Sequence, residues 1–179
     1  MQKSEAEIIE GCRKNNRTAQ KNLYDKYCTA MYSTAYRICG DYEQANDILQ
    51  DGFVQVFRDI RKFRGESTLG RWIKTIMVRT ALRKIRNQKI FTSLDDVNHE
   101  NFAIEIPGPL SGEYLEQAIL SLPDGFRTVF LLIEVEGYLH KEVSSMLQIS
   151  EGTSKSQLFH AKKRLQMIIN KLLHVESNK

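Results

Sequence analysis

The stretch 137–165, GYLHKEVSSMLQISEGTSKSQLFHAKKRL, decides the fold. It reads as two helices joined by a tight turn. Val143, Met146 and Leu147 recur at three and four residues, which puts them on one face of the first helix. Gln148 and Ile149 interrupt that pattern, and Ser150 is the residue type that caps a new helix N-terminus. Leu158, Ala161, Leu165 and Ile168 then form a second apolar stripe. Between them fall Thr153, Lys155, Ser156, Gln157, His160, Lys162, Lys163 and Arg164, with no acid in the set. Such a face suits a helix lying in a DNA major groove, and it equally suits a solvated face on an amphipathic hairpin. Periodicity alone leaves both readings open.

Two more helices precede this pair. One carries Leu115, Ala118, Ile119 and Leu122 and is stopped by Pro123; the next carries Phe126, Val129, Phe130 and Ile133 and ends near Gly137. Upstream again, from Ile90 to Gly112, periodicity fails. That stretch holds Asp95, Asp96, Glu100, Glu105, Pro107, Gly108 and Pro109, the composition of a flexible acidic linker.

The first half of the chain is helical in pattern. Ser4 and Glu7 form a capping box for a short helix ending near Gly11, and Thr18 is the expected cap of a longer one. On that longer helix Leu23, Tyr27, Met31 and Ala35 make one apolar stripe, and Tyr24, Cys28, Tyr32 and Tyr36 a second beside it. Gly40 closes it, and Asp41 with Gln44 opens a third helix, about Tyr42 to Lys62, which buries Ala45, Ile48, Leu49, Val56 and Ile60. Its other side shows Glu43, Asp47, Asp51 and Asp59, either solvated acids favouring the helix dipole or a protein-docking face that repels DNA. A turn from Phe63 to Thr68 leads to a fourth helix, capped by Ser67 or Thr68, with Leu69, Trp72, Ile73, Ile76, Met77 and Thr80 inward. Arg71, Lys74, Arg79, Arg83, Lys84, Arg86 and Lys89 follow one another there with no acid between them. A solvated face or a nucleic-acid surface would both read so.

Charge is segregated accordingly. Residues 1–90 hold 18 Lys/Arg against 10 Asp/Glu, 91–113 hold none against 5, and 114–179 hold 8 against 7. With no strand-like alternation, the expected fold is all-α: two small helical domains, 1–89 and 113–179, joined by the linker 90–112, the second containing a helix-turn-helix. Cys12, Cys28 and Cys39 show no C-x-x-C spacing, and the four histidines no metal-binding pattern. No zinc site or cofactor is therefore expected, and reduced thiols suit a cytosolic protein. No run of eighteen apolar residues occurs, so neither does a candidate membrane span. A response-regulator output domain would share the C-terminal helix pair but would need a strand-bearing domain upstream. A nuclease would need carboxylates at metal spacing, which Asp47, Asp51 and Glu66 do not supply.

Three signatures in order carry a family resemblance. Ala45-Asn46-Asp47-Ile48-Leu49-Gln50-Asp51-Gly52-Phe53 is the first, and Phe63-Arg64-Gly65-Glu66-Ser67 followed by Trp72-Ile73 and Arg86 the second. The third is Glu142-Val143 followed by Ile149-Ser150-Glu151-Gly152-Thr153-Ser154-Lys155-Ser156. By these the chain resembles the extracytoplasmic-function (ECF) sigma factors, small two-domain transcription initiation subunits without catalytic activity. The resemblance implies docking on core RNA polymerase through Asp47, Gln50, Asp51 and Phe53. It implies minus-ten DNA contacts by Arg64, Ser67, Arg71, Lys74, Arg79, Arg83 and Arg86. For the minus-thirty-five duplex it implies His140, Gly152, Thr153, Lys155, Ser156, Gln157, Phe159 and His160. A cognate anti-sigma factor, a cytoplasmic location and no membrane insertion are implied too. Arg79, Ser154, Gln157 and His160 depart from common family choices (Asn, Val, Arg and Arg), all on or beside the reading surfaces.

Overall fold

Ser4 opens the first helix, α1 (Glu5–Arg13), through the reciprocal box: its hydroxyl accepts from the Glu7 N–H, and its own N–H donates to the Glu7 carboxylate at 2.7 Å. The helix runs two residues past Gly11. The computed structural model describes residues 4–88 and 112–176, and every regular element in them is helical. The expected linker lies outside the described residues apart from Gly112. The chain divides into two compact units, Met1–Ile85 and Arg86–Lys179.

In the first unit α2 (Arg17–Cys39) is capped by Asn16, whose side chain accepts from the Ala19 N–H at 3.0 Å. Thr18, the expected cap, lies one residue inside the helix: asparagine already stands at the position whose oxygen can reach the free N–H groups. Leu23, Met31 and Ala35 are buried as expected, whereas Tyr24 is exposed and Cys28, Tyr32 and Tyr36 are half-buried. Gly40, at φ 73°, ends α2 in the left-handed conformation, and Asp41 caps α3 (Tyr42–Asp59) by accepting from the Gln44 N–H at 2.8 Å. The hairpin buries Ala45, Ile48, Leu49, Phe53 and Val56 of α3 against α2 and the rest of the unit. The expected third helix tightens into a 3-10 turn at Ile60–Lys62.

α4 (Leu69–Gln88) follows, and its residues as far as Ile85 complete this unit. Thr68 is its cap, the hydroxyl accepting from the Arg71 N–H at 3.3 Å. Leu69, Ile73, Met77 and Thr80 are buried with Val78, Ala81, Leu82 and Ile85, while Trp72 and Ile76 remain half-buried. α3 and α4 approach closely where Gly52 meets Met77: a Cβ at position 52 would lie 2.6 Å from both the sulfur and the terminal methyl carbon of Met77.

The second unit holds α5 (Gly112–Leu120), α6 (Asp124–Phe130), α7 (His140–Leu147) and α8 (Glu151–Glu176). α6 passes into one π-helical stretch, Leu131–Val135, before the turn at Gly137. Its core joins Ala118, Leu122, Phe126, Ala161 and Leu165, with Ile119, Phe130 and Ile168 packed against them. Leu115, expected inside, is exposed. Arg127 is buried and bonds back to the carbonyls of Leu120 and Leu122 and to Asp124, clamping the α5–α6 corner.

The Gly52–Met77 approach makes a specific demand. Gly52→Ala sets a Cβ against the far end of the buried Met77 side chain, which must swing aside, and costs about 1 kcal/mol in chemical denaturation. Met77→Ala then costs less in that background than alone, so the double-mutant cycle is non-additive; additive costs would mean the helices do not meet there.

Candidate nucleic-acid interface

Three exposed strips emerge from these packings. On α3, Asp47, Gln50, Asp51 and Val54 recur at three and four residues and all face solvent. Val54 is 56% exposed, an apolar residue in the middle of an acidic face that the charge pattern alone did not single out. Asp47 is tied at one edge to Lys84 of α4 at 2.8 Å. Phe53 is not part of this strip. It is only 3% exposed and its ring meets Tyr24 at 4.7 Å between centroids, so it belongs to the core beneath the strip.

The second strip is on α4. Trp72, Ile76, Arg79, Arg83 and Arg86 are spaced four, three, four and three residues apart, one line along the helix. Arg79, Arg83 and Arg86 are exposed, Trp72 and Ile76 half-buried. Arg71 is exposed beside this line and Lys74 half-buried, while Lys84 turns to Asp47. At the head of the line Trp72 meets Phe63 at 5.3 Å, with the rings tilted by 52°. Between them Arg64, Gly65, Glu66, Ser67 and Thr68 form a loop with every residue exposed. Arg64 and Glu66 lie 3.9 Å apart in that loop, an exposed pair of little energetic weight.

The third strip is on α8. Ser150 caps it, accepting from the Thr153 N–H and lying 2.9 Å from the Thr153 hydroxyl, so Thr153 is engaged in the cap. Gly152, Lys155, Ser156, Phe159 and Lys163 share one side of the helix; Ser156 is half-buried and the others are exposed. Phe159 is 63% exposed between the two lysines, an apolar contact flanked by cations. Lys163 continues the Lys155–Phe159 spacing and joins the candidate set on that ground.

Several residues expected on this surface lie elsewhere. Gln157 is 3% exposed, its amide against Gly125 at the start of α6 and its Oε1 without a hydrogen-bond partner. A polar side chain read as outward is therefore core, because the register that exposes Lys155 and Phe159 turns Ser154 and Gln157 inward. His160 is half-buried with its ring stacked on Phe126 at 5.8 Å, and the Arg164 guanidinium lies over the same ring at 5.4 Å. His140 is half-buried with Nδ1 2.9 Å from the Ser154 hydroxyl, joining the starts of α7 and α8. These groups hold α8 in place; Gly152, Lys155, Ser156, Phe159 and Lys163 are the ones it presents on this side. Among the described residues no three His, Cys, Asp or Glu side chains gather as a metal site would require, and no helix is long and apolar enough to cross a membrane.

Two family models match the chain: Sigma-70 region 2 over residues 23–90 and Sigma-70, region 4 over residues 112–165. The chain is 25% identical to the RNA polymerase sigma-H factor of Pseudomonas aeruginosa, across 96% of this chain and 97% of that one. It is 25% identical to the ECF RNA polymerase sigma factor SigW of Bacillus subtilis, across 88% and 92% respectively. In fold it is similar to the sigma factor RpoE solved with the anti-sigma factor NepR from Bartonella quintana: TM-score 0.51 and 23% identity, covering 84% of this chain and 96% of that one.

The Ser150 cap governs how the third strip is presented. Ser150→Ala removes an N-cap and costs about 0.5–2 kcal/mol, read by thermal melting, while Ser150→Asp retains stability. Equal loss in both variants would show that the hydroxyl is not the capping group.

Proposed function

The chain belongs to the sigma-70 family as an ECF-type sigma factor, a transcription initiation factor and not an enzyme, and from that premise we propose that each strip meets its own partner. The α3 strip docks on core RNA polymerase, the loop and α4 open the minus-ten element, and α8 reads the minus-thirty-five element as duplex. One observation carries this reading: a single small unit sets an acidic strip on α3 beside an acid-free basic strip on α4. Phosphates are repelled by the first and attracted by the second, so one unit offers separate protein and nucleic-acid faces.

Physical requirements assign the roles. Opening a duplex costs unstacking energy of a few kcal/mol, which an enzyme or factor offsets by holding the extruded base and its backbone. The exposed loop Arg64–Thr68 supplies polar groups for an unpaired base edge, Trp72 an aromatic surface, and Arg79, Arg83 and Arg86 a track for phosphates. On the duplex side, Lys155 stands near the N-terminal end of α8, the part of a recognition helix that meets base edges. Phe159 offers an apolar contact of the kind a thymine methyl group takes. Phe53, Gln157, His140 and His160 act on this reading from beneath, by fixing the helices that carry the contacts. The linker would run through the polymerase, an anti-sigma factor would control access to the strips, and the protein would work in the cytoplasm.

Two outcomes follow. Asp47→Arg with Asp51→Arg abolishes co-purification with core polymerase, while melting falls by no more than the roughly 1 kcal/mol of the exposed Asp47–Lys84 pair. Undiminished core binding would remove the docking assignment. In holoenzyme titrations of duplex promoter fragments, Lys163→Ala lowers the slope of log K against log salt by about 0.9, the value for one phosphate contact. Gln157→Ala leaves that slope unchanged and lowers the melting temperature instead; a slope change there would mean the amide leaves the core to meet DNA.

A further inference from the structure

α1 lies upstream of the part of the chain that the Sigma-70 region 2 model matches, residues 23–90. It nonetheless reaches both ends of the loop between α3 and α4. At the start of the loop, Arg13 Nη2 donates to the Phe63 carbonyl at 2.8 Å. Arg61 Nε returns a bond to the Arg13 carbonyl at 3.1 Å, so the last turn of α1 and the turn before the loop are cross-tied in both directions. Phe63 is buried and meets Trp72, so fixing its backbone also fixes the ring at the head of the basic strip.

At the far end of the loop the tie runs through α2. The Glu5 carboxylate accepts from Lys26 Nζ at 2.7 Å and from the Tyr27 hydroxyl at 3.0 Å. The Lys26 bond holds Glu5 below the usual carboxylate range, so it remains an acceptor at neutral pH. The Tyr27 ring in turn packs on Gly70, in the first turn of α4, where a Cβ would lie 3.1 Å from Tyr27 Cε1. Within the loop itself, Arg64 to Thr68 are all exposed, and the side-chain bonds they make join loop residues to one another or to Arg71. The order of the loop therefore depends on its two ends.

We propose that α1 is a brace for the promoter-opening loop, with Arg13 fixing the loop's start and Glu5, through Tyr27, its end. Arg13 and Glu5 are positioning residues, touching no DNA. The proposal rests on the reading of the loop given above, and the test separates the two.

The experiment uses holoenzyme on a promoter fragment recovered by run-off transcription, with permanganate reactivity of unpaired thymines as the measure of opening and core binding measured in parallel. Arg64→Ala with Ser67→Ala reports on the loop; Arg13→Ala and Tyr27→Phe report on the brace. Expected is a loss of opening of about tenfold for Arg13→Ala, the scale of one charge-assisted hydrogen bond, with core binding unchanged. Arg13→Lys, which retains a donor, recovers part of it. Tyr27→Phe, which keeps the ring on Gly70 but not the bond to Glu5, gives a smaller loss. On the same fragment with a preformed mismatch bubble the brace defects shrink, because duplex opening is no longer required. A defective loop variant with normal opening by the brace variants overturns the brace and leaves the loop's role standing. Core binding lost in step with opening also overturns it, since α1 would then be only a structural support. Normal opening by the loop variant overturns the reading of the loop and the brace with it.

Discussion

Met77 fills the space that a side chain at position 52 would need, and this lets α3 and α4 lie close enough to share one core. The rest of the first unit's surface depends on that approach. With Ile48, Leu49, Phe53 and Val56 of α3 and Ile73, Met77 and Val78 of α4 turned inward, the remaining arcs of both helices must face water. One arc carries Asp47, Gln50, Asp51 and Val54, the other Arg79 and Arg83. The Asp47–Lys84 pair spans from one helix to the other where the two charge types come together. Opposite charges are thus kept on separate arcs instead of cancelling across the unit, which is what two partners of opposite surface chemistry require.

A similar partition governs the second unit. Phe126 holds α8 through two stacked groups, the His160 ring and the Arg164 guanidinium, and His140 fastens α7 to Ser154. Side chains of reading-surface character are thereby used as internal fasteners. On the side that carries Gly152, the outward line is narrow, with Lys155, Ser156, Phe159 and Lys163 and few cations. A helix face so equipped has a small electrostatic footprint; on the proposed reading its selectivity would rest on base-edge and apolar contacts.

Local signals carried the sequence reading far. The Ser4–Glu7 box, the Gly40 stop, the Asp41 cap and the Ser150 cap are each written in a few consecutive residues, and each is present. The charge stripes were equally legible, because an uninterrupted run of bases cannot be buried. Tertiary facts were not. Phe53 lies within a surface signature yet points to the core, and Gln157 is polar yet inside; which side of a helix faces inward is fixed by the neighbouring helix, not by the residue type. Leu115 is apolar yet exposed for the same reason. Arg13 reaches Phe63 across fifty residues of sequence, a separation at which no periodicity operates. Asn16 displaced Thr18 as a cap because two adequate caps stood two residues apart, and sequence alone did not rank them.

Separate docking and DNA-reading faces, as proposed above, would let this chain confer promoter selectivity on a polymerase. Run-off transcription of genomic fragments by core polymerase, with and without the chain, tests it most directly. Discrete start sites are expected that appear only when the chain is added and vanish with Asp47→Arg and Asp51→Arg. Transcripts with the same start sites whether or not the chain is present would contradict it.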